Sequence, residues 1–165
     1  MRSTIAILLV IILGQLSVCA QDYSFTPKYS TVIDSSFGTL MLDQCSRYSP
    51  RDIKDFWNPS SIEISSVENN FKKILGLTSN ICCCTDCKIS NLDEFGFQYI
   101  GIIIKKKKYI YINAFRYGSE SKLNSYYSTW KTKPVKICDG GGSFWGALFD
   151  IEQRKFSQLA FNGYA

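Results

Sequence analysis

Phe97-Gln98-Tyr99-Ile100-Gly101-Ile102-Ile103-Ile104, then lysines at 105, 106, 107 and 108, then Tyr109-Ile110-Tyr111-Ile112-Asn113-Ala114-Phe115 is the stretch that decides the fold. The two apolar runs are rich in isoleucine and tyrosine, which fit a pleated, half-buried surface. Their spacing predicts two strands joined as a hairpin through the lysines. Four adjacent cations invite a reading as a nucleic-acid or anionic-lipid contact. A solvated turn whose charges discourage edge-to-edge aggregation accounts for them better. One turn is not a basic face, so no nucleic-acid partner is expected.

Working outward towards the C-terminus, residues 118–133 read as a polar, tyrosine-containing connection. Val135–Cys138 reads as a short strand, and Asp139-Gly140-Gly141-Gly142-Ser143 as a turn. Residues 144–149 and 155–161 predict a final hairpin with Asp150–Arg154 at its tip. Working towards the N-terminus, Ser60-Ser61-Ile62-Glu63 has the spacing of a capping box. Ile64, Val67, Phe71 and Ile74 then draw one apolar stripe down a helix, with Glu68 and Lys72 as an ion pair one turn apart on its outer face. Gly76 is a natural stop. The prediction is a main helix over 61–75. Ser49-Pro50-Arg51-Asp52 predicts a shorter helical turn ending near Trp57, and 37–42 predicts a strand running into Cys45. The sum is an α+β domain, one main helix packed on a four- to five-stranded antiparallel sheet.

The first 20 residues read as an address. Arg2 gives a positive start, Ile5 to Leu13 is unbroken apolar sequence, and Val18-Cys19-Ala20 suits a signal peptidase. Spanning a bilayer takes about 20 apolar residues, so no membrane span is expected here or later in the chain. The expectation is a signal peptide over 1–20, a flexible lead-in over 21–36, and a single domain over 37–165, secreted or periplasmic. Lipid attachment at Cys19 is the lesser alternative. The chain carries 19 basic and 14 acidic residues, a mild +5 from which Arg2 departs with the leader. Aromatic residues make up 15%, enough to fill a core.

Of seven cysteines, Cys19 leaves with the leader, and an even number stays behind in an oxidising compartment. Cys45 and Cys138 are expected to pair as a long-range staple. Cys82, Cys83, Cys84 and Cys87 are expected to bond locally or to stay partly free. That cluster could instead hold a metal or form a Cys84–Cys87 redox pair. No histidine is present to complete a zinc site, and no βαβ setting surrounds the pair, so disulfides that tie down a loop are preferred. No cofactor and no metal are expected.

The same absence of histidine removes Ser–His–Asp and Cys–His mechanisms and the histidine-based metallohydrolases. The glycines at 140–142 lack a Walker lysine and precede a strand, so they read as a turn rather than a phosphate loop. Asp139, Asp150 and Glu152 could be nominated as acids, but the last two read as hairpin-tip residues in water. A non-catalytic chain is expected. An enzyme using Asp139 or a free cysteine of the 82–87 cluster is one alternative.

Several strings carry a resemblance: Leu42-Asp43-Gln44-Cys45-Ser46-Arg47, Phe56-Trp57-Asn58-Pro59-Ser60, Gln98-Tyr99-Ile100-Gly101-Ile102, and Tyr109 to Phe115. To these add Trp130, Pro134, Cys138-Asp139-Gly140-Gly141, Ser143-Phe144-Trp145-Gly146 and Phe161-Asn162-Gly163. Together they resemble a family of small exported bacterial proteins of unknown function, over most of 40–165 and excluding the cysteine cluster. The resemblance implies that Cys45 and Cys138 belong to a common framework, and transfers no activity. A helix across a curved antiparallel sheet also resembles cystatin-like and PepSY-like domains, found in secreted inhibitors and protease-associated modules; that is an analogy of architecture. It points to a protein-binding or inhibitor-like module. The surface nominated is Trp130, Asp139, Gly140, Gly141 and Trp145, with the competing reading that Trp145 packs between helix and sheet. A disulfide-stabilised structural protein of the envelope or cell surface is the other alternative.

Overall fold

A computed structural model describes residues 21–80 and 86–164. The expected signal peptide over 1–20 and the cysteines Cys82, Cys83 and Cys84 lie outside the described residues. The predicted central hairpin is present. Strand β3 (Phe95–Ile104) and β4 (Lys107–Arg116) pair antiparallel over their whole length, from Phe95 opposite Arg116 to Ile104 opposite Lys107. Only Lys105 and Lys106 form the turn, with φ of 49° and 67°. Two consecutive left-handed residues make the primed turn whose twist matches that of the strands. Lys107 and Lys108 therefore belong to the ladder.

The sheet continues from β4 through β5 (Phe144–Asp150) to β6 (Lys155–Phe161), antiparallel throughout. The pairing shifts between Gly146 and Leu148, opposite Gln158, whose φ is 51°. This bulge bends an edge strand, a usual way to blunt it. The other edge of β3 is shared. β1 (Ser30–Val32) runs parallel to Phe97–Tyr99, and β2 (Ile53–Trp57) runs antiparallel to Gly101–Ile104. The fold is α+β, with a six-stranded mixed sheet in place of the predicted four or five antiparallel strands.

The extra strands come from segments with a different expected role. The lead-in over 21–36 supplies β1 and part of the core: Phe25 stacks on Phe71 at 5.7 Å, and its N–H donates to the Glu68 carbonyl. Residues 37–42, read as a strand, form a 3₁₀ turn (Ser35–Phe37) and helix α1 (Gly38–Leu42). The Asp34 carboxylate caps this pair by accepting from the Ser36 N–H at 2.9 Å. The predicted helical turn ending near Trp57 is instead strand β2. Asp52, at φ 60°, breaks any helix, and Ile53, Phe56 and Trp57 find an open edge on β3. Val135–Cys138 forms no strand, and α3 (Glu120–Tyr126) rises from the connection read as irregular, capped by Ser119 and burying Leu123.

The main helix starts as predicted and stops early. The Ser60 capping box with Glu63 is complete, and α2 covers Ser61–Glu68. The Asn70 side chain then donates to the Ser66 carbonyl at 2.9 Å, an amide competing for helix backbone. Phe71–Gly76 continues as 3₁₀ turns. The apolar stripe survives the change, since Val67, Phe71 and Ile74 are all fully buried. Lys72 pairs with Asp22 of the lead-in at 3.9 Å.

Alternation along the strands gives the sheet two covered faces. On one, Phe97, Tyr99, Ile112, Trp145 and Phe149 pack beneath α2 and the 3₁₀ turns. On the other, Ile100, Ile102, Tyr111 and Leu148 meet Ile33 and Met41. A third cluster joins Phe115, Leu123, Trp130 and Val135 beside α3.

Candidate functional site

Two arrangements bring the chemistry-bearing residues together. The first is a knot on the α1 face. Cys45 and Cys138 form the expected disulfide across 93 residues of sequence. Around it, Ser46 Oγ donates to the Cys138 carbonyl and accepts from the Gly163 N–H. Asn162 Nδ2 donates to the carbonyls of Ile137, at 2.6 Å, and Asp139, at 3.1 Å. An ion pair joins Lys136 to Asp43. The motif segments 42–47, 136–140 and 161–163 thus meet at one place.

Beneath the knot lies a buried polar network. The Arg47 Nη2 donates to Asn113 Oδ1 at 2.5 Å, and Asn113 Nδ2 donates to Gln98 Oε1 at 3.0 Å and to the Val135 carbonyl at 2.9 Å. Gln98 serves the loop over it, accepting from the Val135 N–H and donating to the Trp130 and Lys133 carbonyls. Side-chain amides therefore satisfy the backbone of 130–135, which is why 135–138 needs no ladder. Arg47 is 5% exposed and faces Tyr111, with no ion pair among the described residues. Burial pulls the Arg47 guanidinium below its ordinary value, and burial pushes the Tyr111 phenol up against the pull of that cation. The phenol lies over Gly146, where a Cβ would sit 2.4 Å from its oxygen. The network is buried and fixes a loop.

The second arrangement is open. At the end of the sheet where β3 and β5 begin and β4 and β6 finish, two cavities adjoin. One, of about 360 Å³, has Lys88, Arg116, Gly140, Ser143 and Tyr164 in its walls. The other, of about 490 Å³, is lined by Arg116, Tyr117, Lys122, Tyr126, Tyr127 and Phe144. They share Arg116 and Ser143, so the groove they make turns round the end of the sheet, from the Phe95 and Phe161 face to the face of Phe115 and Phe144. Arg116 is braced by Glu94 at 2.7 Å and by the Phe95 ring at 5.6 Å, with its side chain still half exposed. Gly140 and Gly141, at φ 91° and 50°, take up the left-handed conformation that glycine adopts freely. Gly141 also seats the Tyr164 ring, which a Cβ would meet at 2.1 Å. Tyr126 and Tyr164 are 73% and 72% exposed.

Of the nominated residues, the structure places Gly140 in the groove wall and Gly141 against the Tyr164 ring. Asp139 is exposed nearby and contributes its carbonyl to Asn162. Trp130 and Trp145 are interior, at 4% and 0% exposure, so their nomination as surface is corrected. Trp145 packs edge-on against Phe95 and Phe97, because its position in β5 pairs with Ala114 and Phe161 on the main-core side. Asp150, read as a tip residue in water, is buried at the end of β5 and accepts from the Gln153 N–H at 2.9 Å. Cys87 is disulfide-bonded. No group of three or more histidine, cysteine, aspartate or glutamate side chains among the described residues is placed to hold a metal ion. No described helix is long and apolar enough to cross a membrane.

No family model matches this chain, and neither a curated protein nor a solved structure matches it. The site must be read from its own residues. Arg116, Lys122, Tyr126 and Tyr164 were missed because each stands in or beside a segment read as polar connection or chain end. The signal available was the Tyr126-Tyr127 pair and the C-terminal Tyr164, aromatic residues outside every predicted strand.

Proposed function

We propose that the chain is an exported, non-catalytic module that binds another protein through the groove at the end of the sheet. The observation that carries this reading is the groove itself: two cavities at the end of the sheet that share Arg116 and Ser143, with two tyrosines more than two-thirds exposed in their walls. Tyrosine and arginine dominate the energetic centres of protein interfaces, because each combines a large contact surface with directed hydrogen bonding. Strand ends supply Arg116, Phe144 and Phe161, and α3 supplies Lys122 and Tyr126, so part of the groove is set before binding. The absence of histidine supports a non-catalytic role, as does the engagement of Cys87 in a disulfide. A second reading, a disulfide-stabilised envelope or surface protein, draws on the Cys45–Cys138 knot.

The test is a photo-crosslinking residue placed at Tyr126 in the chain produced by its native host, with a second chain labelled at Lys106 on the opposite end of the hairpin. The binding reading expects one discrete adduct from position 126 and none from 106. Equal adducts from both, or none from either, would overturn it. Self-adducts alone would favour the structural reading.

A further inference from the structure

We infer that the groove takes an extended acidic polypeptide segment, anchored by one apolar side chain; this rests on the binding reading above. Charge comes first. The walls of the two cavities carry three cations, Lys88, Arg116 and Lys122, and among the described residues no aspartate or glutamate. Glu94, which pairs with Arg116, stands outside the lining. A guanidinium has five donors, so a half-exposed Arg116 can keep Glu94 and present its remaining N–H groups to an incoming carboxylate. The Glu94 brace fixes the fork in advance of binding.

Shape comes second. Arg116 and Ser143 line both cavities, so a segment that fills both turns over them at the end of the sheet. The larger cavity is walled by Tyr117, Tyr126, Tyr127 and Phe144, four aromatic rings around space enough for a large apolar side chain. The smaller cavity has glycines and serines in its walls together with Lys88, Ile89, Phe95, Phe161 and Tyr164. An extended segment with an aromatic anchor in the first and a carboxylate over Arg116 fits both.

A ligand carrying both carboxylates and a large apolar side chain is polypeptide in character: the three cations suit the carboxylates and the four rings suit the side chain, whereas a uronic-acid glycan offers carboxylates without that anchor.

The test is a fluorescence-anisotropy titration of the purified chain with a labelled dodecapeptide of alternating glutamate and alanine, carrying one central phenylalanine. The expected result is saturable binding that weakens as salt is raised. Exchanging its glutamates for lysines, or its phenylalanine for alanine, is expected to weaken binding by about tenfold or more. Arg116→Gln and Tyr126→Ala, both exposed and checked by unchanged thermal melts, are expected to weaken it about as much. Lys105→Gln with Lys106→Gln, about 30 Å away at the far end of the hairpin, should leave it unchanged. Binding lost in that turn variant and kept in Arg116→Gln would overturn the inference. So would tighter binding of a uronic-acid oligosaccharide. If the Tyr126 cross-link captures a discrete partner and the acidic peptide fails, this inference falls and the binding reading stands; if both fail, both fall.

Discussion

Gly101 shows how single residues position this fold. It sits in β3 opposite Trp57, and a Cβ there would meet the indole ring at 2.3 Å. The ring covers a strand position that has no side chain of its own, so the short β2 stays on the sheet edge. Gly101→Ala is expected to destabilise the chain by about 1–3 kcal/mol, as overpacked sites do, measured by urea denaturation. Glu68 offers a different test. Burial raises its carboxyl above the ordinary 4.5, so the folded chain holds this proton to a higher pH than the unfolded chain does. Its contribution to stability is complete below 4.5 and is lost as pH rises through the raised folded value. Glu68→Gln is therefore expected to melt above the parent at pH 7, the gap closing by about pH 4, as read by thermal scans across that range. Neither environment was legible in sequence, since both depend on what the lead-in and β2 bring alongside.

At the scale of elements, what was legible is what local chemistry encodes. The β3–β4 hairpin, the final hairpin and the start of α2 follow from residues within a few positions of one another. The end of α2 does not. Its stripe continues through Ile74, but the Asn70 amide and the lead-in, whose Phe25 N–H takes the Glu68 carbonyl and whose Tyr23 carbonyl takes the Lys72 N–H, leave the last turns as 3₁₀. Residues 37–57 were misread because apolar runs too short for periodicity were assigned by neighbouring punctuation. Asp34 and Asp52, which cap one element and break another, carried the deciding signals. The hairpin turn gives a prediction of its own. Lys105 and Lys106 both occupy a left-handed region that costs an ordinary side chain about 1–2 kcal/mol. Lys105→Asn with Lys106→Gly supplies the residues this turn favours and is expected to raise stability by about 1–2 kcal/mol, read from the denaturation midpoint.

Across the whole molecule, the Cys45–Cys138 tie gathers three segments that are far apart in the chain. The pairing was legible from the cysteine inventory and the motif strings around it. The polar network below it was not, because Gln98 and Asn113 read as isolated polar residues in apolar strands. Only the sheet register places them side by side with Arg47 beneath the loop. Replacing both cysteines by serine is expected to cost about 2–5 kcal/mol, measured against the oxidised parent by urea unfolding. The groove was half legible: the glycine turn was found, and the tryptophans named beside it proved to be core. Binding in the groove is read residue by residue in an amide chemical-shift titration of the isotope-labelled chain with the acidic, phenylalanine-anchored dodecapeptide. Shifts are expected to concentrate at Arg116, Lys122, Tyr126, Ser143 and Tyr164 and to saturate together along one curve. Shifts centred on Lys105–Lys108 at the opposite end of the hairpin, or scattered over the surface without saturation, would contradict it.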